Sequence, residues 1–106
     1  MSETKPAYML VVAEVTDGKK LANYQGELMA SGLYPRNGGE YLAKGRPLEM
    51  FEENWPDNQA LVIARFPSAE HARKFWYSEQ YQNDIKPLRE GAGRFTVALF
   101  EGELGD

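Results

Sequence analysis

Two kinds of hydrophobic repeat alternate along the chain. Tyr8 to Val15 is nearly all apolar and rich in β-branched residues, bounded by Pro6 and by Asp17-Gly18, and predicts a strand. Leu21, Tyr24 and Leu28 then recur at helical spacing behind Asp17, which is suited to cap the helix. Gly26 weakens the middle of that helix by roughly 1 kcal/mol relative to alanine. Gly32 stops it, and Pro35 marks the break. Asn37-Gly38-Gly39 is turn chemistry, and Glu40 to Lys44 predicts a short strand. Gly45-Arg46-Pro47 turns the chain, and Leu48 to Glu53 is expected to run back as its hairpin partner. Asn54 to Asn58 reads as a polar loop containing Trp55, and Ala60 to Phe66 is the strongest strand pattern. Ser68 caps a second helix whose buried stripe is Ala69, Ala72, Phe75 and Trp76. Ser78 caps a further short helix through Tyr81 and Ile85, disturbed by Pro87 and ended by Gly91 and Gly93. Arg94 to Glu101 predicts the last strand, with Phe95, Val97 and Leu99 on one face and Ala98 and Phe100 on the other. Met1 to Pro6 reads as a loose leader and Gly102 to Asp106 as a frayed acidic tail.

The order is β-α-β-β-α-β with an extra hairpin, which predicts a ferredoxin-like α+β domain with an antiparallel sheet. The 106 residues suffice for one domain, with a core of about 8–102. A sheet with one solvated face alternates apolar and polar residues, but these central strands do not. Met9, Val11 and Val15 oppose Tyr8, Leu10 and Val12, and Leu61 and Ile63 oppose Val62, Ala64 and Phe66. Two helices cover one side only. The other side predicts a two-fold homodimer, sheet against sheet. The alternative is a monomer whose loop Gly45 to Asn58 folds over the open face.

Charge and composition narrow the function classes. Twelve basic against sixteen acidic residues leave a net charge of −4, which argues against a nucleic-acid partner. With no cysteine there is no disulfide, no thiolate nucleophile and no Cys-based metal site. The apolar runs fall short of the roughly 20 residues of a membrane-spanning helix, and the N-terminus carries no targeting pattern, so a cytoplasmic protein is expected. Phosphate-cradling glycine loops, G-x-S-x-G and H-E-x-x-H are absent.

Several ordered segments carry a family resemblance. They are Asn37 to Gly45, Leu48 to Glu52 with Trp55, Leu61 to Ser68, and Ser78 to Tyr81, joined by Tyr24 in the first helix. Together they resemble the domain-of-unknown-function family numbered 1330, within the dimeric α+β barrel superfamily, over about Tyr8 to Gly102. The resemblance implies a ferredoxin-like subunit that pairs into a dimeric barrel, and no established activity. The wider superfamily includes cofactor-free monooxygenases, muconolactone isomerases and haem-handling proteins, among which fold alone does not choose. Three positions depart from the family pattern: Asn37 where histidine is common, Lys44 where arginine is common, and Glu53 where glycine usually follows the glutamate.

The candidate chemistry is sparse. His71, the single histidine, lies in the first turn of the second helix and reads as a general base or as a surface residue between Glu70 and Arg73. Arg65 interrupts an apolar strand and reads either as a carboxylate-binding fork or as half of an ion pair with a glutamate. Glu49, Glu52, Glu53 and Asp57 form an acidic run that reads as a solvated edge, with no metal site expected. Glu52 is the carboxylate best suited to general-base work, because it falls at the family-matching position. Glu52, Arg65 and His71 are therefore the catalytic candidates. Tyr24, Tyr41 and Trp55 are the candidates for lining a ligand pocket, against a purely structural role for the aromatics. The expectation is a homodimer that binds a small organic acid, aromatic or enol-like molecule without a cofactor. Its chemistry would be proton transfer, isomerisation or oxygenation; the alternative is a non-catalytic ligand-binding or interaction module.

Overall fold

The computed structural model describes residues 5–102, so most of the leader and tail expected from the sequence lies outside the described residues. Four strands form: β1 (Ala7–Val15), β2 (Glu40–Gly45), β3 (Gln59–Phe66) and β4 (Gly93–Glu101). They make one sheet in the order β2-β3-β1-β4, with every neighbouring pair antiparallel. Between them run α1 (Gly18–Ser31), a one-turn α2 (Leu33–Arg36) and α3 (Ala69–Trp76). This is the ferredoxin-like α+β plan.

Local chemistry sets the element ends where the pattern placed them. The Asp17 carboxylate accepts from the amides of Lys19 and Lys20, two of the unpaired donors at the start of α1. Gly32 closes α1 in the left-handed conformation, φ 70°, with its amide on the Met29 carbonyl. Pro35 does not break the chain there. It sits inside α2, in a first turn where the missing N–H has no carbonyl to lose. Ser68 caps α3 through the amide of His71, and Ser78 accepts from the amide of Tyr81.

The segment after Ser78 differs from the expected short α-helix. It is a wide π turn, Gln80–Ile85, followed by a 3-10 turn, Lys86–Arg89. The amide of Lys86 reaches back to the Tyr81 carbonyl. Pro87 supplies no amide to continue the ladder, so the coil widens and then tightens.

The hairpin expectation for Leu48 to Glu53 is corrected. No strand forms there, and β2 pairs instead with β3, Gly45 standing opposite Leu61. A strand at 48–53 would have to pair on the outer edge of β2, where no helix layer covers its side chains. Residues 46–58 are the long connection between β2 and β3. Trp55 pins its base by donating to the Gln59 carbonyl at 2.7 Å.

Cross-strand register divides the sheet into two faces. On the helix side, Met9 pairs with Ala64 and Leu99, and Val11 with Val62 and Val97. The core is built here from Met9, Tyr24, Leu28, Leu33, Tyr34, Phe66, Phe75, Tyr81 and Ile85. Tyr34, Phe66, Phe75, Tyr81 and Trp76 form a chain of rings with centroids 4.6–5.8 Å apart. On the opposite side, the row Ile63-Leu10-Ala98 lies beside the rows Leu61-Val12-Thr96 and Arg65-Tyr8-Phe100. No helix covers that face, and Phe100 is 50% exposed on it. The loop 46–58 does not bury its own apolar side chains on it, since Leu48 and Phe51 are 103% and 89% exposed. The molecule is a slab of 46 × 38 × 17 Å, one helical layer on one sheet.

Candidate functional site

An apolar cavity lies between the helical layer and the sheet. Its floor is apolar: Met9, Val11 and Ala13 from β1, Ala60 and Val62 from β3, and Phe95 and Val97 from β4. Helix α1 contributes Leu21, Tyr24 and Leu28, and the aromatic chain contributes Tyr34, Phe75, Trp76 and Tyr81. The enclosed space is about 90 Å³. A dry cavity of about 150 Å³ holds benzene, so this one encloses only a few heavy atoms, and a larger ligand extends through the mouth.

Polar atoms in this apolar wall are few and grouped. The hydroxyls of Tyr24 and Tyr81 hydrogen-bond to each other at 2.8 Å. Each hydroxyl carries one proton, so whichever donates within the pair, the acceptor keeps an O–H for a ligand. Tyr34 and Tyr41 stack at a centroid distance of 4.6 Å. Burial pushes the Tyr24 hydroxyl far above the ordinary tyrosine range; the Tyr81 hydroxyl adds to this, and Arg89 opposes it. Burial likewise raises Tyr34, with Tyr41 adding to the effect. Burial raises Tyr81 against the opposing pull of the Tyr24 hydrogen bond and of Arg89, and it raises Tyr41 against the hydrogen bond from Tyr34. All four are therefore neutral at physiological pH and act as O–H donors.

Lys44 and Arg89 are the charged lining residues, and no carboxylate or imidazole joins them. The Lys44 amine lies 5.0 Å from the centre of the Tyr41 ring. The Arg89 guanidinium lies 4.4 Å from the Phe95 ring centre, with Tyr24 and Trp76 at 5.7 and 5.8 Å. The turn that Pro87 distorts is what carries Tyr81 and Arg89 to the same cavity.

Of the residues singled out from the sequence, Tyr24 and Tyr41 line this cavity. Trp55 lines a separate surface hollow with Pro47 and Leu61. Glu52, Arg65 and His71 are exposed, line no part of the apolar cavity and are not brought together. Arg65 stands on the open face of the sheet, 3.8 Å from Glu40, its register partner on β2. The Nδ1 atom of His71 lies 2.6 Å from the Ser68 hydroxyl, a contact inside the helix cap. Glu52 lies in the exposed loop. Among the described residues, no three histidine, aspartate or glutamate side chains group as metal ligands. Tyr81 and Arg89 were missed. The usable signals were Tyr81 three residues after the Ser78 cap, and an arginine just beyond a helix-disturbing proline.

Comparison with known proteins agrees with this architecture. Residues 6–103 match the family model described as a domain of unknown function, DUF1330. No curated protein matches the chain in sequence. The fold is similar to that of a hydroxynitrile lyase from Passiflora edulis, with a TM-score of 0.70 and 14% identity over 98% of this chain and 99% of that one. It is similar to SnoaB, a cofactor-independent oxygenase from Streptomyces nogalater, with a TM-score of 0.62 and 11% identity over 98% and 100%. A dimeric ferredoxin-like protein of unknown function from Thermobifida fusca has a TM-score of 0.65 and 10% identity over 95% and 94%. At these identities the likeness is one of fold. No helix among the described residues is long and apolar enough to cross a membrane.

Proposed function

The chain belongs to the DUF1330 family, and from that premise we propose that it is a cytoplasmic homodimer, free of cofactor, that binds a small organic molecule and catalyses proton transfer on it. The observation that carries this reading is the Tyr24–Tyr81 hydroxyl pair set in the wall of an otherwise apolar cavity. A neutral O–H in such a place stabilises negative charge developing on a ligand oxygen, which is the requirement of an enol or enolate intermediate. Enolate formation is the entry step of isomerisation, and also of oxygenation by dioxygen through the substrate's own carbanion; with no carboxylate or imidazole in the lining, the released proton passes to water at the cavity mouth. The similar folds of a lyase and of a cofactor-independent oxygenase support a catalytic use of this architecture. The uncovered apolar face of the sheet supports the second copy, since a large apolar patch marks an interface.

In this reading Tyr24 and Tyr81 bind the reacting oxygen, while Tyr41 and Lys44 shape the rest of the polar lining. Arg65 and Glu52 belong to surface and interface contacts. Native mass spectrometry of protein taken from its own host tests the proposal. The expected spectrum is a dimer carrying a small organic adduct that is absent from the Tyr24→Phe, Tyr81→Phe double variant. A monomer refutes the assembly. An adduct that survives both substitutions refutes the assignment of the hydroxyl pair.

A further inference from the structure

We propose, resting on the ligand-binding reading above, that the cavity selects a small organic anion and that Arg89 is the residue that recognises its carboxylate. Two other arginines have acidic partners: Arg46 lies 3.8 Å from Asp57, and Arg65 3.8 Å from Glu40. Arg89 has no ion-pair partner among the described residues, although it is half-buried. It is held by rings instead, lying over Phe95 and beside Tyr24 and Trp76. Cation–π contacts of this kind fix the plane of the guanidinium and leave its edge donors available.

The position of Arg89 suits an entrance. Together with Phe95 it lines the inner cavity and also an adjoining surface groove, so it stands at the boundary between them. Lys86 lines the groove as a second cation, and Glu90 is its one acid. Lys20 reaches the Glu90 carbonyl from α1 and adds positive charge to the rim. Inside, the Tyr24–Tyr81 pair supplies an O–H, and the remaining wall is apolar apart from Gln25, Lys44, Trp76 and the other two tyrosines. A carboxylate accepts two parallel bonds from a guanidinium, which leaves the free hydroxyl of the tyrosine pair for the reacting oxygen. The enclosed 90 Å³ leaves room behind it for a short carbon chain. A chain with a net charge of −4 thus presents a cavity whose only ionised lining residues are cations, so a cationic ligand is excluded.

The test uses two isosteric probes, crotonate and crotonamide, titrated by NMR into the full-length protein. Crotonate is expected to bind about tenfold more tightly than its neutral amide. Its affinity weakens as salt is added, while that of crotonamide does not. Arg89→Gln abolishes the preference, and Arg89→Lys, which keeps the charge, retains part of it. Equal binding of the two probes to the wild type overturns the anion assignment and leaves the cavity reading intact. A preference that survives Arg89→Gln overturns the role of Arg89. If neither probe moves resonances of cavity residues, the cavity reading itself falls. Should Arg89→Gln fail to fold, the salt dependence of the wild-type preference decides: an insensitive preference refutes recognition by charge.

Discussion

At the residue scale, the buried tyrosines set a pH limit on the fold. Burial raises Tyr24, Tyr34 and Tyr81 above the ordinary tyrosine value, so the native state keeps protons that the unfolded chain releases above about pH 10. Their contribution is complete below pH 10 and is lost as the pH rises beyond it. Stability is expected to fall there by up to roughly 1.4 kcal/mol per pH unit for each tyrosine that stays protonated in the native state. Urea unfolding from pH 8 to 12 checks this, and a curve flat through pH 11 refutes it. Glu53 carries a second prediction. It is the one non-glycine residue with positive φ, 60°, among the described residues, and the family pattern noted from the sequence has glycine at that place. Glu53→Gly removes the Cβ clash of a left-handed residue and is expected to raise stability by about 1 kcal/mol, read from the urea midpoint. The catalytic candidates show where residue-level reading stops. His71 and Arg65 stand out because each is singular in its segment, and Glu52 because it falls at the family-matching position; in the structure all three are exposed, with Arg65 beside Glu40 and His71 in the Ser68 cap. Composition reports which groups exist, whereas a site depends on which of them converge.

At the element scale, glycines separate strain from slack. An added Cβ at Gly39 would lie 2.6 Å from the buried Phe66 ring, and at Gly38, φ 74°, it would meet Pro67 at 2.7 Å. The Asn37-Gly38-Gly39 turn therefore lets the chain pass tightly over the core as it enters β2. Gly39→Ala is expected to cost roughly 1–3 kcal/mol through overpacking. At Gly26 in α1 a Cβ meets nothing within 4 Å, and Gly26→Ala is expected to gain up to about 1 kcal/mol. Thermal melts of both variants test the contrast, which vanishes if the turn can shift. The caps and strands were legible because their causes are local: Asp17 and Ser68 act within three residues, and short apolar, β-branched runs bounded by turn residues mark the central strands. Leu48 to Glu53 was misread because its pattern fits an edge strand, while pairing depends on whether a layer exists to bury the strand. The π turn at 80–85 arises from Pro87 acting backward on a register already set by Ser78, a competition invisible to periodicity.

At the scale of the whole molecule, the slab has one finished face and one unfinished one. Leu10 stands in the middle of the uncovered apolar row, paired with Ile63 and Ala98. Leu10→Arg puts a charge there without entering the helix-side core. It is expected to yield a folded monomer, with sedimentation dropping to a single chain and far-UV circular dichroism unchanged. A Leu10→Arg protein that still sediments as a dimer refutes the sheet-to-sheet interface. The exposed Leu48 and Phe51 leave further apolar surface on the connection 46–58. The sequence alone determined the α+β order, the strand faces and the surplus of hydrocarbon, because periodicity and capping operate within a few residues. Tertiary structure decided the cavity. Tyr24 and Tyr81 lie 57 positions apart, and Arg89 reaches them from a turn bent by proline. Only the packing of helix, turn and sheet brings such distant polar groups together and strips them of water, and no local pattern encodes that convergence.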